Sequence, residues 1–331
     1  MREAILEGKR KFVVRDGPEP VLDEGEVLIK VQYCGICGSD LHTYIEGVPA
    51  RYGHEYSGDI VEVGSGVKGW EIGDRVTAES INSCGECHWC MRGEMNLCED
   101  FYEAWSQSAG GFATYTKAKY RQLHKLPPEL SYEEAALAEP TAVALHSIRL
   151  SKMGVGDIVA VLGLGPIGQL VARLAKISGA RAVYVTEASQ SRIELARGVV
   201  DEAIDANLVD PVDRILELTG GRGPDVVFEC AGAISTTQQS IALVRKGGTI
   251  VLVGVCLHPV ETLACDIVLK ELTVRGSMIF CSGEYASALN LIEAKKIDVA
   301  PLITRVMPLD DINEAFEKAV RGEGGKILVK P

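Results

Sequence analysis

The stretch that decides the fold is residues 158–168, which run Ile158-Val159-Ala160-Val161-Leu162-Gly163-Leu164-Gly165-Pro166-Ile167-Gly168. The five apolar residues indicate a buried strand, and a G-x-G-x-x-G turn follows them and opens a segment of helical periodicity that reaches Ile177. In such a turn the first glycine permits the tight bend, the second lets a pyrophosphate approach the backbone, and the third lets helix and strand pack closely. A plain glycine-rich turn is the alternative, but this context predicts a dinucleotide site.

Strand and helix patterns alternate from about residue 150 onward. Apolar runs recur at 182–185, 226–228 and 250–253, and strands separated by helices predict a parallel sheet buried on both faces. We therefore predict an α/β fold with a doubly wound Rossmann domain over residues 149–275. The residues predicted to bind the cofactor in this part of the chain are Gly163, Gly165, Pro166, Ile167, Gly168, Val253 and Val255.

Glu187 ends the second strand of this domain, nineteen residues after Gly168. A carboxylate there can accept hydrogen bonds from the adenosine ribose and repels a 2′-phosphate, so it predicts NAD, with NADP less expected. Arg192 lies nearby, and an arginine at such a site can accommodate that phosphate. A solvated arginine on a helix face is the alternative.

The residues before about 150 have a different texture. Short strand-like runs such as 27–31 and 60–63 alternate with glycine-rich turns, which predicts a mostly β domain over residues 1–148. A chain of 331 residues also exceeds the size at which one hydrophobic core stops growing, so two domains are expected.

A cluster of cysteines lies inside the first domain, in a lobe over residues 84–98. Cys84, Cys87, Cys90 and Cys98 form the pattern C-x2-C-x2-C-x7-C. Four thiolates in so short a span can close tetrahedrally on one Zn²⁺ and leave no position for a substrate, which predicts a structural zinc. Disulfides or free thiols are the alternative. The four isolated cysteines are expected to be small core residues: Cys230, Cys256, Cys265 and Cys281.

A second set of possible ligands is dispersed along the chain. Cys37, His54, Glu55 and Glu139 have side chains that bind zinc, and mixed ligands can leave a position open. Taken singly, each could be an ordinary core cysteine, bonded histidine or surface glutamate, so spacing alone leaves the question open. Cys34 and Cys37 also form a C-x-x-C pair, and a non-catalytic redox sensor that binds zinc and nucleotide is the alternative function.

Charge and hydropathy exclude other classes. A net charge of −12 argues against a nucleic-acid-binding protein. No apolar run approaches the length of a membrane span, and the N-terminal Met1-Arg2-Glu3-Ala4 leads into charged residues rather than an export signal. We expect a cytoplasmic protein that works on small molecules, with no membrane or nucleic-acid partner.

Together these motifs resemble the medium-chain, zinc-dependent dehydrogenase family, and within it the sorbitol, butanediol and threonine dehydrogenases. The resemblance covers nearly the whole chain and includes, in family order, the segments 35–42 and 53–55, the cysteine lobe, Glu139-Pro140 and the glycine turn. It implies a GroES-like catalytic domain, a Rossmann domain, a C-terminal return over residues 276–331 and a homodimer or homotetramer. Zinc-free relatives such as quinone reductases generally lack the first two segments.

The resemblance also implies roles for single residues. Cys37, His54 and Glu139 match catalytic zinc ligands. Glu55 matches either a fourth ligand or one that exchanges with water or substrate. The catalytic residues it implies are Ser39, which takes the alcohol proton, His42, which relays it, and Asp40, which orients His54.

Bound zinc would polarise the substrate oxygen, and the implied reaction is NAD-linked oxidation of a secondary alcohol to the ketone, with the reverse reduction possible. The glutamate-containing zinc set favours a polyol, a vicinal diol or a hydroxy-amino compound as the substrate. Two features depart from the family: the segment from Tyr44 to Tyr52 is short, and Thr304-Arg305 stands where many relatives have a histidine.

Overall fold

The computed structural model describes residues 1–101, 110–262 and 264–331. Its chain forms two compact units: the first contains residues 1–142 and 280–331, and the second contains residues 143–279. The divisions thus fall after residues 142 and 279, where the sequence predicted 148 and 275. The first division lies inside a helix, Ala138–Ser151, so a pattern of helical periodicity gives no signal at that point.

The strands follow one another along the whole of the described chain. In chain order they are β1 (Arg2–Gly8), β2 (Lys11–Asp16), β3 (Glu26–Gly35), β4 (Ala50–Arg51), β5 (Glu55–Val63), β6 (Arg75–Ala78), β7 (Tyr115–Lys119), β8 (Leu123–Lys125), β9 (Ile158–Leu162), β10 (Ala182–Glu187), β11 (Glu202–Asp205), β12 (Val226–Glu229), β13 (Thr249–Leu252), β14 (Thr273–Gly276), β15 (Ile303–Pro308) and β16 (Lys326–Lys330).

The helices concentrate in the second half. The described α-helices are α1 (Gly38–Glu46), α2 (Tyr132–Ala135), α3 (Ala138–Ser151), α4 (Pro166–Ile177), α5 (Gln190–Ala196), α6 (Pro211–Leu218), α7 (Ile234–Leu243), α8 (Ala264–Leu269), α9 (Glu284–Glu293) and α10 (Ile312–Val320). Short 3₁₀ turns occur at Cys90–Arg92, Met95–Leu97, Tyr120–Gln122, Ala300–Leu302 and Leu309–Asp311. Among the residues that the structure describes, no helix combines the length and the apolar character needed to cross a bilayer.

The first unit is built on two sheets. A small sheet has the order β2-β1-β4, and a seven-stranded sheet has the order β15-β16-β3-β5-β6-β8, with β7 also paired to β3. The central strand β3 runs antiparallel to both β5 and β16. The C-terminal segment therefore returns to the first unit and adds β15 and β16 to its sheet.

An aromatic cluster fills the core beside this sheet. The rings of Phe12, Tyr44, Phe112 and Phe316 pack with centroids 4.7 to 6.4 Å apart. Tyr44 comes from α1 and is fully buried, so its ring fixes that helix to the core. Burying a ring of this size stabilises the fold by about 2–3 kcal/mol, which makes α1 a rigid support for the residues at its N-terminus.

The second unit is a parallel sheet with the strand order β11-β10-β9-β12-β13-β14. This is the 3-2-1-4-5-6 order of a doubly wound nucleotide-binding sheet. Every residue of β9 is buried, as its continuous apolar run predicts. The predicted mostly β domain and parallel-sheet domain are both confirmed.

The isolated cysteines were predicted wrongly. Cys265 is exposed, and Cys230, Cys256 and Cys281 are half-buried rather than core residues. Cys230 directly follows β12, Cys265 lies in the short helix α8, and Cys256 and Cys281 lie in connecting segments, where an apolar neighbourhood in the sequence does not guarantee burial.

Candidate metal centres and cofactor site

Pairing of β3 with β5 brings the first set of ligands together. Gly35 lies opposite Glu55 in the antiparallel register, so Cys37, just beyond β3, stands near His54, just before β5. A Cβ added at Gly35 would lie 2.2 Å from Glu55 Oε2, so only glycine leaves room for that carboxylate. One ligand atom from each of Cys37, His54 and Glu55 lies within 4.8 Å of the others.

This donor set fits zinc. Ligand atoms at zinc bond lengths of about 2.0–2.3 Å stand roughly 3.3–3.8 Å apart, so small side-chain adjustments close the observed group onto one ion. Burial lowers the pKa of His54, but the Asp40 carboxylate and the Cys37 thiolate outweigh it and raise the pKa well above its ordinary value. The surroundings of His54 thus favour positive charge, which is what a cation site requires.

Asp40 links the two halves of this centre. Its Oδ2 accepts a hydrogen bond of 3.0 Å from the backbone N–H of Cys37 at the start of α1. Its Oδ1 lies 3.6 Å from His54 Nδ1. One buried carboxylate therefore holds the segment of Cys37 and faces the imidazole of His54, as expected of a group that fixes the tautomer of a metal-binding histidine.

Glu139 lies in the first turn of α3 and is buried. Burial raises its pKa to about 7, and Ser80 Oγ donates a 2.9 Å hydrogen bond to its Oε1. The ligand group that falls within 4.8 Å contains Glu55, whereas Glu139 is the carboxylate that the resemblance favours. Both acidic groups are buried, and the charge of Glu55 adds to the rise in the pKa of Glu139.

Lys326 is a site residue that the sequence analysis missed. Its Nζ donates to Glu55 Oε1 and Oε2 at 2.7 and 2.6 Å, and to the carbonyl of Ile36 at 3.0 Å. Both charged side chains are essentially inaccessible to solvent. The last strand of the chain therefore supplies a buried ammonium to the carboxylate of the metal centre.

Thr304 is hydrogen-bonded to the backbone at the start of the same strand. Its Oγ1 accepts from the backbone N–H of Gly325 at 3.1 Å and lies 3.4 Å from the carbonyl of Lys326. The departure from the family at Thr304-Arg305 thus falls where β15 holds the start of β16.

The short segment after α1 is also compact, because Gly47 ends the helix with φ of 78° and β4 follows at Ala50–Arg51.

Ser39 and His42 lie on α1, three residues apart, and both are exposed. Residues at this spacing share one helix face. The structure therefore places them as neighbours near the N-terminus of α1, next to Cys37, in an arrangement compatible with a proton path from the centre to solvent.

The four-cysteine lobe forms a second group. The sulfurs of Cys84, Cys87, Cys90 and Cys98 lie within 4.8 Å of one another, and Cys84 Sγ is 3.9 Å from Cys90 Sγ. Tetrahedral zinc with Zn–S bonds of 2.3 Å separates its sulfurs by about 3.8 Å, so the lobe fits the ion closely. Backbone N–H groups lower the pKa of Cys87 to about 6, which favours the thiolate that binds metal.

The glycine turn lies between β9 and α4. Gly163 has φ of 93°, and a Cβ added at Gly168 would lie 1.9 Å from the Gly163 carbonyl. A Cβ added at Gly165 would meet nothing within 4 Å. The first and third glycines are therefore required by packing, while the second leaves the backbone open to a ligand at the helix N-terminus, where Pro166 and Ile167 begin α4.

Glu187 is tied to this turn. Its Oε2 accepts from the N–H of Leu164 at 2.8 Å, its Oε1 accepts from the N–H groups of Ala188 and Ser189, and Arg192 Nη1 lies 3.8 Å from Oε2. A carboxylate has about four acceptor positions, so one can still serve a ribose hydroxyl. A cavity of about 420 Å³ opens here, and its lining includes Gly163, Gly165, Glu187, Arg192, Cys230 and Ala231.

The two valines predicted at the cofactor site lie elsewhere on the sheet edge. Val253 follows β13, and its N–H donates to the carbonyl of Glu229 at 2.8 Å. Val255 is 60% exposed and lines a second cavity of about 500 Å³. Their role in binding a cofactor stays a prediction.

Cys34 is fully buried, and burial raises the pKa of its thiol well above the ordinary value. A redox-active cysteine needs the opposite, a lowered pKa and access to solvent. This geometry gives no support to the redox-sensor alternative.

A centre of thiolate, imidazole and carboxylate in one unit, and a dinucleotide turn in the other, define a metal-dependent enzyme that works with a dinucleotide. Comparison with known proteins agrees. Residues 23–128 match the alcohol dehydrogenase GroES-like domain, and residues 166–294 match the zinc-binding dehydrogenase family.

Curated relatives match over nearly their full lengths. A sorbitol dehydrogenase of Halalkalibacterium halodurans is 39% identical over 98% of this chain and 97% of its own, and an (R,R)-butanediol dehydrogenase of Bacillus subtilis is 37% identical over the whole of both. A solved structure described as a zinc-binding dehydrogenase of Sinorhizobium meliloti 1021 bound to NADP has a TM-score of 0.93 and 33% identity, over 100% of this chain and 99% of that one. The chain belongs to the medium-chain, zinc-dependent alcohol dehydrogenase family, and it is an enzyme that acts on alcohols.

Proposed function

We propose that this enzyme oxidises one secondary hydroxyl of a polyol, a vicinal diol or a hydroxy-amino compound to the ketone, passes the hydride to NAD, and can run in reverse. The observation that carries the proposal is the close group of half-buried Cys37 and His54 with buried Glu55, beside Ser39 and His42 on α1. The relatives that act on sorbitol and butanediol support a substrate with several hydroxyls.

The residues of the centre divide the work. Cys37, His54 and a carboxylate would hold a zinc ion, which when bound acts as a Lewis acid on the substrate oxygen. Ser39 accepts the hydroxyl proton of the substrate, and His42, which is exposed three residues further along α1, passes it toward solvent. Asp40 keeps the orientation of His54, and Lys326 keeps that of Glu55.

We propose two zinc ions per chain. The second would be held by Cys84, Cys87, Cys90 and Cys98, where four sulfurs complete its coordination and leave no place for substrate. Its role is to fold the lobe of residues 84–98, which is too small to bury a core of its own.

NAD is the proposed cofactor in preference to NADP. Glu187 and Arg192 both line the cavity beside the glycine turn, and Arg192 Nη1 lies 3.8 Å from the Glu187 carboxylate. A 2′-phosphate would meet the negative charge of Glu187 first. If this is right, Glu187→Ala reduces the preference of the enzyme for NAD over NADP. Unchanged selectivity would argue against a ribose role for Glu187.

A homodimer or homotetramer in the cytoplasm completes the proposal. The edge strand β14 is exposed along its whole length, and Val268, Leu269 and Val274 expose apolar surface on or beside it. An unpaired strand edge with apolar neighbours favours pairing with another copy. A cluster of four free cysteines is typical of a reducing compartment.

The test is nicotinamide reduction across secondary alcohols, polyols, cyclitols and threonine, with NAD and NADP in parallel. Wild-type protein and the exposed-cysteine control Cys265→Ser should turn over one substrate class with NAD and hold two zinc ions. Cys37→Ser and His54→Ala should hold one zinc and lose turnover. Wild-type activity in either variant would refute the metal assignment, and silence of the zinc-loaded wild type across the panel would refute the substrate class.

A further inference from the structure

Two polar side chains lie on the buried face of α4. Gln169 and Arg173 stand one helical turn apart and are 0% and 7% exposed. Their neighbours on the helix are apolar and fully buried, namely Leu170, Val171, Ala172 and Leu174. Burying an amide and a guanidinium costs free energy unless hydrogen bonds compensate it, so their contacts show what the positions are for.

Both side chains reach α5. Arg173 Nη1 donates to Gln169 Oε1 at 2.8 Å, and Arg173 Nη2 donates to the carbonyl of Leu195 at 2.9 Å. Gln169 Nε2 donates to the carbonyl of Arg192 at 2.7 Å. Leu195 is in the last turn of α5, where a carbonyl has no partner within the helix. We call this pair and its two carbonyls the α4–α5 clip.

The helix that the clip holds carries the residue facing Glu187. α5 is Gln190–Ala196, only seven residues, and of these Ile193 and Ala196 are buried. So short a helix has little stability of its own, and tertiary contacts set its position. The clip, together with the packing of Ile193 and Ala196, therefore sets where Arg192 stands, 3.8 Å from the Glu187 carboxylate.

We propose that Gln169 and Arg173 are positioning residues for cofactor selectivity, which hold α5 so that Arg192 stays with Glu187 instead of receiving a 2′-phosphate. The inference rests on the proposed role of Glu187 at the ribose. Without the clip, α5 can shift, and Arg192 becomes available to the phosphate of NADP, since a guanidinium binds phosphate strongly.

The decisive variant is Gln169→Leu with Arg173→Leu. It removes both side-chain donors together, leaves no unpaired guanidinium or amide on the buried face, and leaves the carbonyls of Arg192 and Leu195 without these donors. The control is Lys176→Met, on the same helix, which removes the surface ion pair to Asp201 and leaves the clip intact. Calorimetric titration of the zinc-loaded proteins with 5′-AMP and with 2′,5′-ADP measures selectivity without turnover, and thermal unfolding checks the fold.

We expect the preference for 5′-AMP over 2′,5′-ADP to fall by about 3- to 10-fold in the double variant, the ratio that one buried hydrogen bond supports. The KM for NADP should fall while kcat with saturating NAD changes by no more than about twofold. Lys176→Met should match wild type in both. A folded double variant with wild-type selectivity overturns the proposal that the α4–α5 clip sets cofactor selectivity. A wild-type protein that binds neither probe overturns the proposed cofactor site itself.

Discussion

Replacement of Lys326 by methionine tests the electrostatics of the metal centre. Lys326→Met keeps the length of the side chain but removes the ammonium that donates to both oxygens of Glu55 at 2.7 and 2.6 Å. Because both partners are buried, a carboxylate is left unpaired where water cannot reach it. Breaking a buried ion pair in this way costs about 3–5 kcal/mol.

The loss should be visible in the metal-free protein. For a unit of this size, each kcal/mol shifts Tm by about 2–4 °C, so we expect the first unit to melt about 6–20 °C lower in chelator. The double variant Lys326→Met with Glu55→Gln removes both charges and should recover most of that difference. Scanning calorimetry of the four proteins, wild type and Glu55→Gln included, completes the double-mutant cycle.

Zinc should reverse much of the effect. In Lys326→Met, the freed Glu55 carboxylate can take the metal together with Cys37 and His54, whose ligand atoms lie within 4.8 Å of it. Since zinc then stabilises the variant more than the wild type, the Tm difference should shrink as zinc is added. An equal Tm loss with and without zinc, or a loss below about 2 °C in chelator, would refute the view that Lys326 and the metal share one carboxylate.

Three further outcomes follow from the geometry. Cys98→Ser should bind one zinc ion instead of two, as measured by atomic emission, and should expose residues 84–98 to proteolysis. The reason is that structural zinc sites supply about 10–16 kcal/mol of apparent binding free energy. Two bound zinc ions would contradict this, and Cys265→Ser is the control. Ser39→Ala should lower kcat by about 10²–10⁴-fold with its zinc content intact, whereas wild-type kcat would remove Ser39 from the proton path. Burial raises the pKa of Asp225, but the N–H of Ile158 and the guanidinium of Arg245 outweigh burial and hold that pKa below its ordinary value. The carboxylate therefore stabilises the fold above the unfolded pKa, and this stabilisation is lost as pH falls through the folded pKa. Urea unfolding of Asp225→Asn should show a smaller loss of stability below a pH of about 4 than wild type, and equal acid sensitivity would contradict this.

The parts of the fold and site that the sequence predicts well are those whose residues are close together in the chain. The glycine turn of Gly163 to Gly168 follows its strand directly, and the four cysteines of the lobe span residues 84–98. In each case, the chemistry can be inferred from spacing alone because local chain geometry allows few arrangements. The role of Asp40, in contrast, was implied only by the family resemblance, and its contact with the backbone N–H of Cys37 is seen in the structure.

The dispersed ligands could not be joined from spacing. Cys37 and His54 meet because β3 and β5 pair with Gly35 opposite Glu55, and register of this kind depends on the whole sheet. The family resemblance supplied what local patterns lacked. Gln169 and Arg173 stand four residues apart among apolar neighbours in the sequence, but the sequence analysis did not predict that they are buried, and only burial shows that they require partners.

No local sequence pattern pointed to Lys326. The reason for a positive charge at this position appears only from the acidic groups around it. It lies 271 residues from Glu55, in a strand whose alternation predicts nothing unusual. Yet Cys37, Asp40, Glu55 and Glu139 place up to four negative charges around one centre, and a Zn²⁺ supplies only two positive ones. The ammonium of Lys326 adds a third. The fourth charge, that of Glu139, is only partial, because burial raises the pKa of this carboxyl group to about 7. Since an uncompensated buried charge is costly, the ammonium of Lys326 lowers the cost of keeping these acidic groups together at the proposed metal centre.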